Sequence, residues 1–341
     1  MRILTSVLTV SAVASVMFAM DDTALIKKAK DAGLEAIPSD TKVLMKKIDP
    51  KGEMTKERIE LGKMLYFEPR LSKSSLISCN TCHNLSIGGV DGISAAIGHK
   101  WTANPHNLNS PTVYNAVLNK AQFWDGRSPH LADQAQGPIQ AGPEMAAPKE
   151  LAVERITSMP EYVAMFDKAY GKGTKITFEK IADTIAIFEK TLVTPSPFDA
   201  YLNGNKKALT KEQKEGMATF IDKGCASCHN SMAVGGSMQP FEVTAKYKFA
   251  KGDFKGDKNG MVKAPTLRNV TETAPYFHNG QVWDLKTAIK EMGSVQLGLN
   301  ISDTDADKIE TFLTSLTGKK PVIIYPMLPP STAKTPVPLA D

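Results

Sequence analysis

Cys79-Asn80-Thr81-Cys82-His83 and Cys225-Ala226-Ser227-Cys228-His229 decide how the chain is read, and between them they use all four cysteines. Each is a C-x-x-C-H phrase, the attachment signature of a c-type haem. Two thiols on one helical turn can form thioethers to the vinyl groups of a porphyrin. The histidine that follows, His83 or His229, then offers its imidazole to the iron as proximal ligand. A structural zinc site would need four close ligands, but here the two pairs lie far apart and each carries a histidine. A thioredoxin-like pair needs no such histidine and sits in a βαβ pattern that this sequence lacks. The phrases therefore predict two covalent haems c, one in each half of the chain.

Working outward, Met1 to about Met20 reads as a secretory signal peptide (residues 1–20). Arg2 gives a basic start, Ile3 to Ala19 is apolar, and Asp21-Asp22 ends the run. Cleavage is expected near Ala19 or Met20, with an uncleaved N-terminal membrane anchor as the alternative. Export to the periplasm agrees with haem attachment outside the cytoplasm. The net charge of +5 is mild and nowhere concentrated, which excludes nucleic acid as a partner. Hydrophobic residues make up 42% of the chain and charged ones 23%, an ordinary globular balance.

The fold class expected is mainly α, with two cytochrome c-like haem domains, long loops and an extended C-terminal tail. Apolar residues recur at helical spacing over Thr23 to Gly33, Thr55 to Phe67, Pro148 to Ser158, Glu161 to Tyr170 and Thr177 to Leu192. The same holds for Thr210 to Lys223, Trp283 to Met292 and Ser302 to Thr317. No stretch shows sustained strand alternation. Thr194-Pro195-Ser196-Pro197 reads as the interdomain linker, since paired prolines favour extended chain. An N-terminal haem domain over 21–193 and a C-terminal one over 194–319 are predicted, with the proline-rich tail 320–341 wrapping over the first.

Several phrases around these motifs resemble the bacterial dihaem cytochrome c peroxidases. They are Ile97-Gly98-His99-Lys100-Trp101, Asn109-Ser110-Pro111-Thr112-Val113, Ala121 to Arg127, Asp133 to Ile139, and Thr273-Ala274-Pro275-Tyr276-Phe277-His278. They run in order over nearly the whole mature chain. The resemblance implies that His99, on a glycine-rich loop after His83, is a detachable distal ligand of the N-terminal iron. On residues alone it reads more readily as a surface loop histidine with no iron contact, and His106 is a weaker alternative ligand. His130 reads as a surface or N-cap residue, and His278 as a hydrogen-bonding one. Met292 matches the family's axial methionine for the C-terminal iron. Met238 and Met261 are weaker rivals, and most of the 15 methionines must be core.

By the same resemblance, Trp124 is the aromatic residue between the haems, Glu144 the catalytic acid–base group and Gln134 a glutamine that orients peroxide. Burial would raise the Glu144 pKa toward the working pH, while Glu150 and Glu154 are rival carboxylates. Asn109 and the carbonyls of Thr273 and Pro275 match the family's calcium ligands, oxygens suited to a hard cation. Arg127 and Arg268 are candidates for haem propionates, though surface salt bridges are the default reading.

The function implied is a periplasmic peroxidase reducing H2O2 to water with electrons from a small cytochrome c or a cupredoxin, working as a homodimer. Reduction of the high-potential C-terminal haem would release the His99 loop and open the low-potential N-terminal iron. Two other readings stand beside it. One is a dihaem electron carrier without catalysis. The other is the related enzyme that oxidises a partner's tryptophans, against which Met292 argues because that enzyme uses a tyrosine there.

Overall fold

A computed structural model describes residues 21–339; the expected signal segment lies outside the described residues. Twelve α-helices stand in chain order: α1 (Asp22–Asp31), α2 (Thr41–Ile48), α3 (Lys56–Tyr66), α4 (Cys79–Cys82), α5 (Leu131–Gln140), α6 (Lys149–Thr157), α7 (Pro160–Tyr170), α8 (Phe178–Glu189), α9 (Pro197–Leu202), α10 (Lys211–Asp222), α11 (Leu285–Leu297) and α12 (Asp303–Thr314). One small antiparallel sheet pairs β1 (Met238–Pro240) with β2 (Met261–Lys263). No described helix is long and apolar enough to cross a membrane.

Polar caps set the helix starts that the sequence predicted. Thr55, Thr177, Thr210 and Ser302 each accept a backbone N–H three residues on, a contribution of about 1 kcal/mol apiece. Three further helices, α2, α5 and α9, were not expected. In α5 the Gly137-Pro138 pair reads as a turn, yet buried Ala135 and Ile139 belong to the first core and carry the helix through the proline. The short sheet also departs from the expectation of no strand, since three-residue strands are too brief to show alternation.

Among the described residues there are two large hydrophobic cores, beside a small cluster of Ala116, Leu131 and Ala186. The first gathers residues from α3 and α5 to α8, with Tyr66, Tyr162, Phe166 and Phe188 at its centre. The second gathers α1 and α9 to α12 around Phe198, Phe220 and Phe312. Leu25 and Ala29 of α1 pack into the second core, so the first helix crosses to the C-terminal half. The tail returns to the first core. Ile323 and Leu328 pack on it, and buried Arg155 donates to the Val337 carbonyl at 2.8 Å.

The halves repeat one another. Gly62 of α3 lies against Thr184 and Phe188 of α8, and Gly216 of α10 lies against Lys308 and Phe312 of α12. In both places a Cβ would collide with the partner backbone, so glycine permits the helix crossing. Asn115 and Asn269 are a second matched pair. Both are fully buried, adopt positive φ (62° and 59°) and begin a 3-10 turn. Both also hold Thr194, with Asn115 Nδ2 at 2.8 Å and Asn269 Nδ2 at 3.0 Å from its Oγ1. The proline-flanked junction is therefore clamped from both sides rather than loose, and Pro197 opens α9.

Candidate active site

Each C-x-x-C-H phrase forms a single tight turn. His83 N–H donates to the Cys79 carbonyl at 2.9 Å and His229 N–H to the Cys225 carbonyl at 3.0 Å. The thiols are not bonded to each other. Burial pushes Cys79 strongly up, Cys82 up to about 12 and Cys225 up to about 11. Burial of this kind disfavours the thiolate that a redox pair needs. Among the described residues no group of three or more His, Cys, Asp or Glu side chains converges as a metal-ion site. The zinc alternative therefore has no geometry behind it.

Both phrases line one continuous apolar cavity of about 350 Å3. The His83 Nδ1–H donates to the Pro111 carbonyl at 2.9 Å, which leaves Nε2 free to point at a metal. At the second turn Pro265 is the counterpart. Its carbonyl acts on the His229 ring without reaching hydrogen-bond geometry with Nδ1. Burial holds His229 neutral, with its pKa down at about 4. Neutral buried imidazoles beside paired thiols on an apolar cavity fit a covalent haem at each phrase.

The N-terminal end of the cavity is walled by Phe123, Trp124, Arg127, Gln134, Pro138 and Glu144. Gln134 and Pro138 lie one turn apart on α5. Desolvation raises the Glu144 pKa, and the Arg127 charge pulls it partly back. Trp124 is buried between the halves. Its indole N–H donates to the Asn109 carbonyl at 2.9 Å, and its ring meets His278 edge-on. The C-terminal end is walled by α11, including Met292. Met238 and Met261 do not line the cavity; the Met238 sulfur packs on Gly126 instead.

His99 stands apart from these walls. It is 7% exposed, is not among the cavity-lining residues, and neither ring nitrogen has a hydrogen-bond partner. Its backbone N–H donates to the Glu144 carbonyl at 2.7 Å, so its loop is seated on the segment that carries that glutamate. His106 pairs with Asp253 at 2.8 Å on the surface, and His130 caps α5 through Nδ1. Asn109, Thr273 and Pro275 all line the cavity. The Asn109 amide N–H donates to the Ile93 carbonyl.

For Arg268 the default reading, a salt bridge, holds, but the bridge is buried rather than on the surface. Arg268 does not face the cavity but makes a two-pronged ion pair with Asp199 at 2.8 and 2.9 Å, both side chains almost fully buried. Asp199 also accepts from Ile37 N–H and from Ser196. A buried guanidinium must be paired, and the carboxylate from α9 satisfies it within the second core.

Two features went unread in the sequence. The first is buried Lys263 on the cavity wall. The second is the repeat linking Asn109 to Asp133 with Lys263 to Thr287, in which Phe123 and Phe277, both with positive φ, lead hairpin turns closed by isolated bridges. The signal was there: Pro111-Thr112 recurs as Pro265-Thr266, and Asn115 as Asn269, at one constant offset.

Against known proteins, a model of the di-haem cytochrome c peroxidases matches residues 56–207. The chain is 47% identical over 298 residues to cytochrome c551 peroxidase of Pseudomonas aeruginosa, covering 84% of this chain and 86% of that protein. It is 46% identical over 287 residues to the cytochrome c551 peroxidase of Nitrosomonas europaea, covering 81% and 85%. Among solved structures, a MauG-like protein associated with microbial copper homeostasis shares the fold at a TM-score of 0.69. That match has 23% identity and covers 78% of this chain and 90% of the other. Identity at the level of the two peroxidases, over most of both chains, places this chain in the di-haem cytochrome c peroxidase family, with two haems c as its cofactors.

Proposed function

We propose that the chain is an exported peroxidase that reduces hydrogen peroxide to water with electrons from a small cytochrome c or a cupredoxin. One observation carries the reading. A carboxyl of raised pKa and an amide, Glu144 and Gln134, wall the cavity at the His83 end, while a thioether, Met292, walls it at the His229 end. When bound, the two haems supply the redox chemistry: the His229 site accepts electrons, and the His83 site offers peroxide an iron. Everything else falls to side chains.

Glu144 takes the proton from the inner peroxide oxygen and returns it to the outer one, which leaves as water. A carboxyl raised by burial is suited to both tasks near neutral pH. Gln134 orients peroxide by hydrogen bonding. Trp124 bridges the two sites with a buried indole fixed by Asn109. Met292 would hold the C-terminal iron. His99 is the detachable ligand of the N-terminal one, a role supported by two buried ring nitrogens that nothing else satisfies. Its glycine-flanked loop has the hinges such a movement requires.

The peroxidatic unit would be the first core with its tail, and the electron-accepting unit the second core with α1. A calcium ion held by Asn109 and the Thr273 and Pro275 carbonyls between the halves, a homodimer and a periplasmic location complete the proposal. A steady-state assay with H2O2 and reduced cytochrome c tests it. His99→Gly is expected to turn over without pre-reduction, whereas wild type needs it. A chain whose irons accept no external ligand in any oxidation state is an electron carrier instead.

A further inference from the structure

Haem brings carboxylates of its own, and propionates buried in an apolar cavity need cationic partners. Of the two arginines that the sequence offered, one lies off the cavity and the other, on its wall, is already paired. Arg268 is bound to Asp199. Arg127 is held by Asp125 at 2.9 Å with its guanidinium over the Phe123 ring, and is about half exposed.

Lys263 is placed differently. It ends β2 opposite Met238, is 4% exposed and lines the cavity. Its backbone N–H donates to the Trp124 carbonyl at 2.7 Å, which fixes this residue of the C-terminal half against the N-terminal one. No carboxylate among the described residues comes within ion-pair distance of its ammonium. Asp125, the one carboxylate whose charge acts on it, is engaged by Arg127. A buried ammonium without a partner is rarely retained unless a ligand supplies the anion.

We propose that Lys263 is the counter-ion of a propionate of the N-terminal haem, a cation that the C-terminal half contributes to the other half's cofactor. The direction follows from placement: β2 is tied to Trp124, and the Lys263 charge acts on the His83 ring. Burial lowers the Lys263 pKa to about 8 against a weaker upward pull from Asp125, and an adjacent propionate would restore it. The inference rests on the two-haem assignment and deepens it. A cation beside a ferric haem opposes the extra positive charge of the oxidised state, so Lys263 raises the reduction potential of that haem. It acts on the reaction as a positioning residue.

The test uses the holoprotein. Haem content per chain is measured first, so that failure of the two-haem assignment is told apart from failure of this inference. Both midpoint potentials are then titrated optically and assigned by the EPR of the haem that remains ferric. Lys263→Gln is expected to shift the N-terminal ferric–ferrous equilibrium at least tenfold toward ferric, a fall of about 59 mV for one electron. The C-terminal potential should stay put, and Lys263→Arg should restore the wild-type value. An unchanged N-terminal potential, an equal shift at both haems, or no rescue by arginine overturns the proposal. Should the glutamine variant fail to mature, the wild-type protein still decides. Propionate bending bands of the N-terminal haem in resonance Raman are expected at hydrogen-bonded positions, and free-propionate positions overturn it.

Discussion

Helix α5 in the N-terminal half and α11 in the C-terminal half begin alike. Each follows a bridged hairpin, and each starts on a side-chain cap that accepts a backbone N–H three residues on, His130 in one and Asp284 in the other. At the eighth residue they part. On α11 that residue is Met292, a thioether on the cavity wall; on α5 it is Pro138, on the wall at the other end. Proline has nothing to give a metal. One scaffold therefore places a thioether able to ligate a metal on the wall in one half and a proline in the other. The N-terminal end is walled instead by Gln134 and Glu144, an amide that can hydrogen-bond and a carboxyl that can carry a proton. The difference teaches that the division of labour lies at single positions on a repeated frame.

The sharpest way to break this comparison is to erase it. Pro138→Met is expected to give the N-terminal site a thioether ligand of its own and to abolish both external-ligand binding and peroxidase turnover. Binding of cyanide to the half-reduced protein, followed optically, checks this; unaltered binding would break the equivalence of α5 and α11. Next in size is Glu144→Ala, expected to cut kcat/KM by about 10² to 10⁴ as a lost general acid–base group, while leaving the C-terminal midpoint potential unchanged.

The comparison extends to the supports beneath the haem turns. Arg268 and Tyr114 occupy matching places after the Pro-Thr pairs, and each bonds a carbonyl of the loop following its haem turn, Met232 or Leu85. Arg268→Met leaves Asp199 buried and unpaired, at a cost of about 3–5 kcal/mol. Tyr114→Phe gives up one hydrogen bond, at about 0.5–1.5 kcal/mol. Denaturant unfolding of the two variants measures the gap, and equal losses would remove the asymmetry. The glycine crossings should instead behave alike. Gly62→Ala and Gly216→Ala are each expected to cost about 1–3 kcal/mol through overpacking.

The smallest effect concerns pH. Glu144 must be ionised to take a proton, so activity rises as pH climbs through its raised pKa. Arg127 holds that pKa down; Arg127→Ala should therefore move the acid limb of the kcat/KM profile to higher pH. A limb that stays in place would mean another group sets it.

Much of the frame was legible in the chain. Eight helices announced themselves because amphipathic spacing and caps are local properties. The tail prolines implied an extended segment, which now crosses the first core and is tied down by Arg155. Other features were not legible. The chain left Arg268 between a propionate and a salt bridge because an arginine shows its charge in sequence but not its partner, and Asp199 lies 69 residues away. The Thr194 junction looked like a linker because prolines mark extended chain whether or not two distant asparagines grip it. Helix α5 was hidden by Gly137-Pro138, a local turn signal that packing overrode.

The sequence by itself determined the chemistry at hand: two thiol pairs, two proximal imidazoles and a small set of candidate ligands, because covalent attachment is written in contiguous residues. Only the tertiary structure decided which of those candidates share a wall. It gathered Glu144, Gln134 and Pro138 at one end and Met292 at the other, kept His99 off the wall, and brought Lys263 across from the opposite half. Those relations depend on distances between residues far apart in the chain, which burial and hydrogen bonding fix only once both cores have closed.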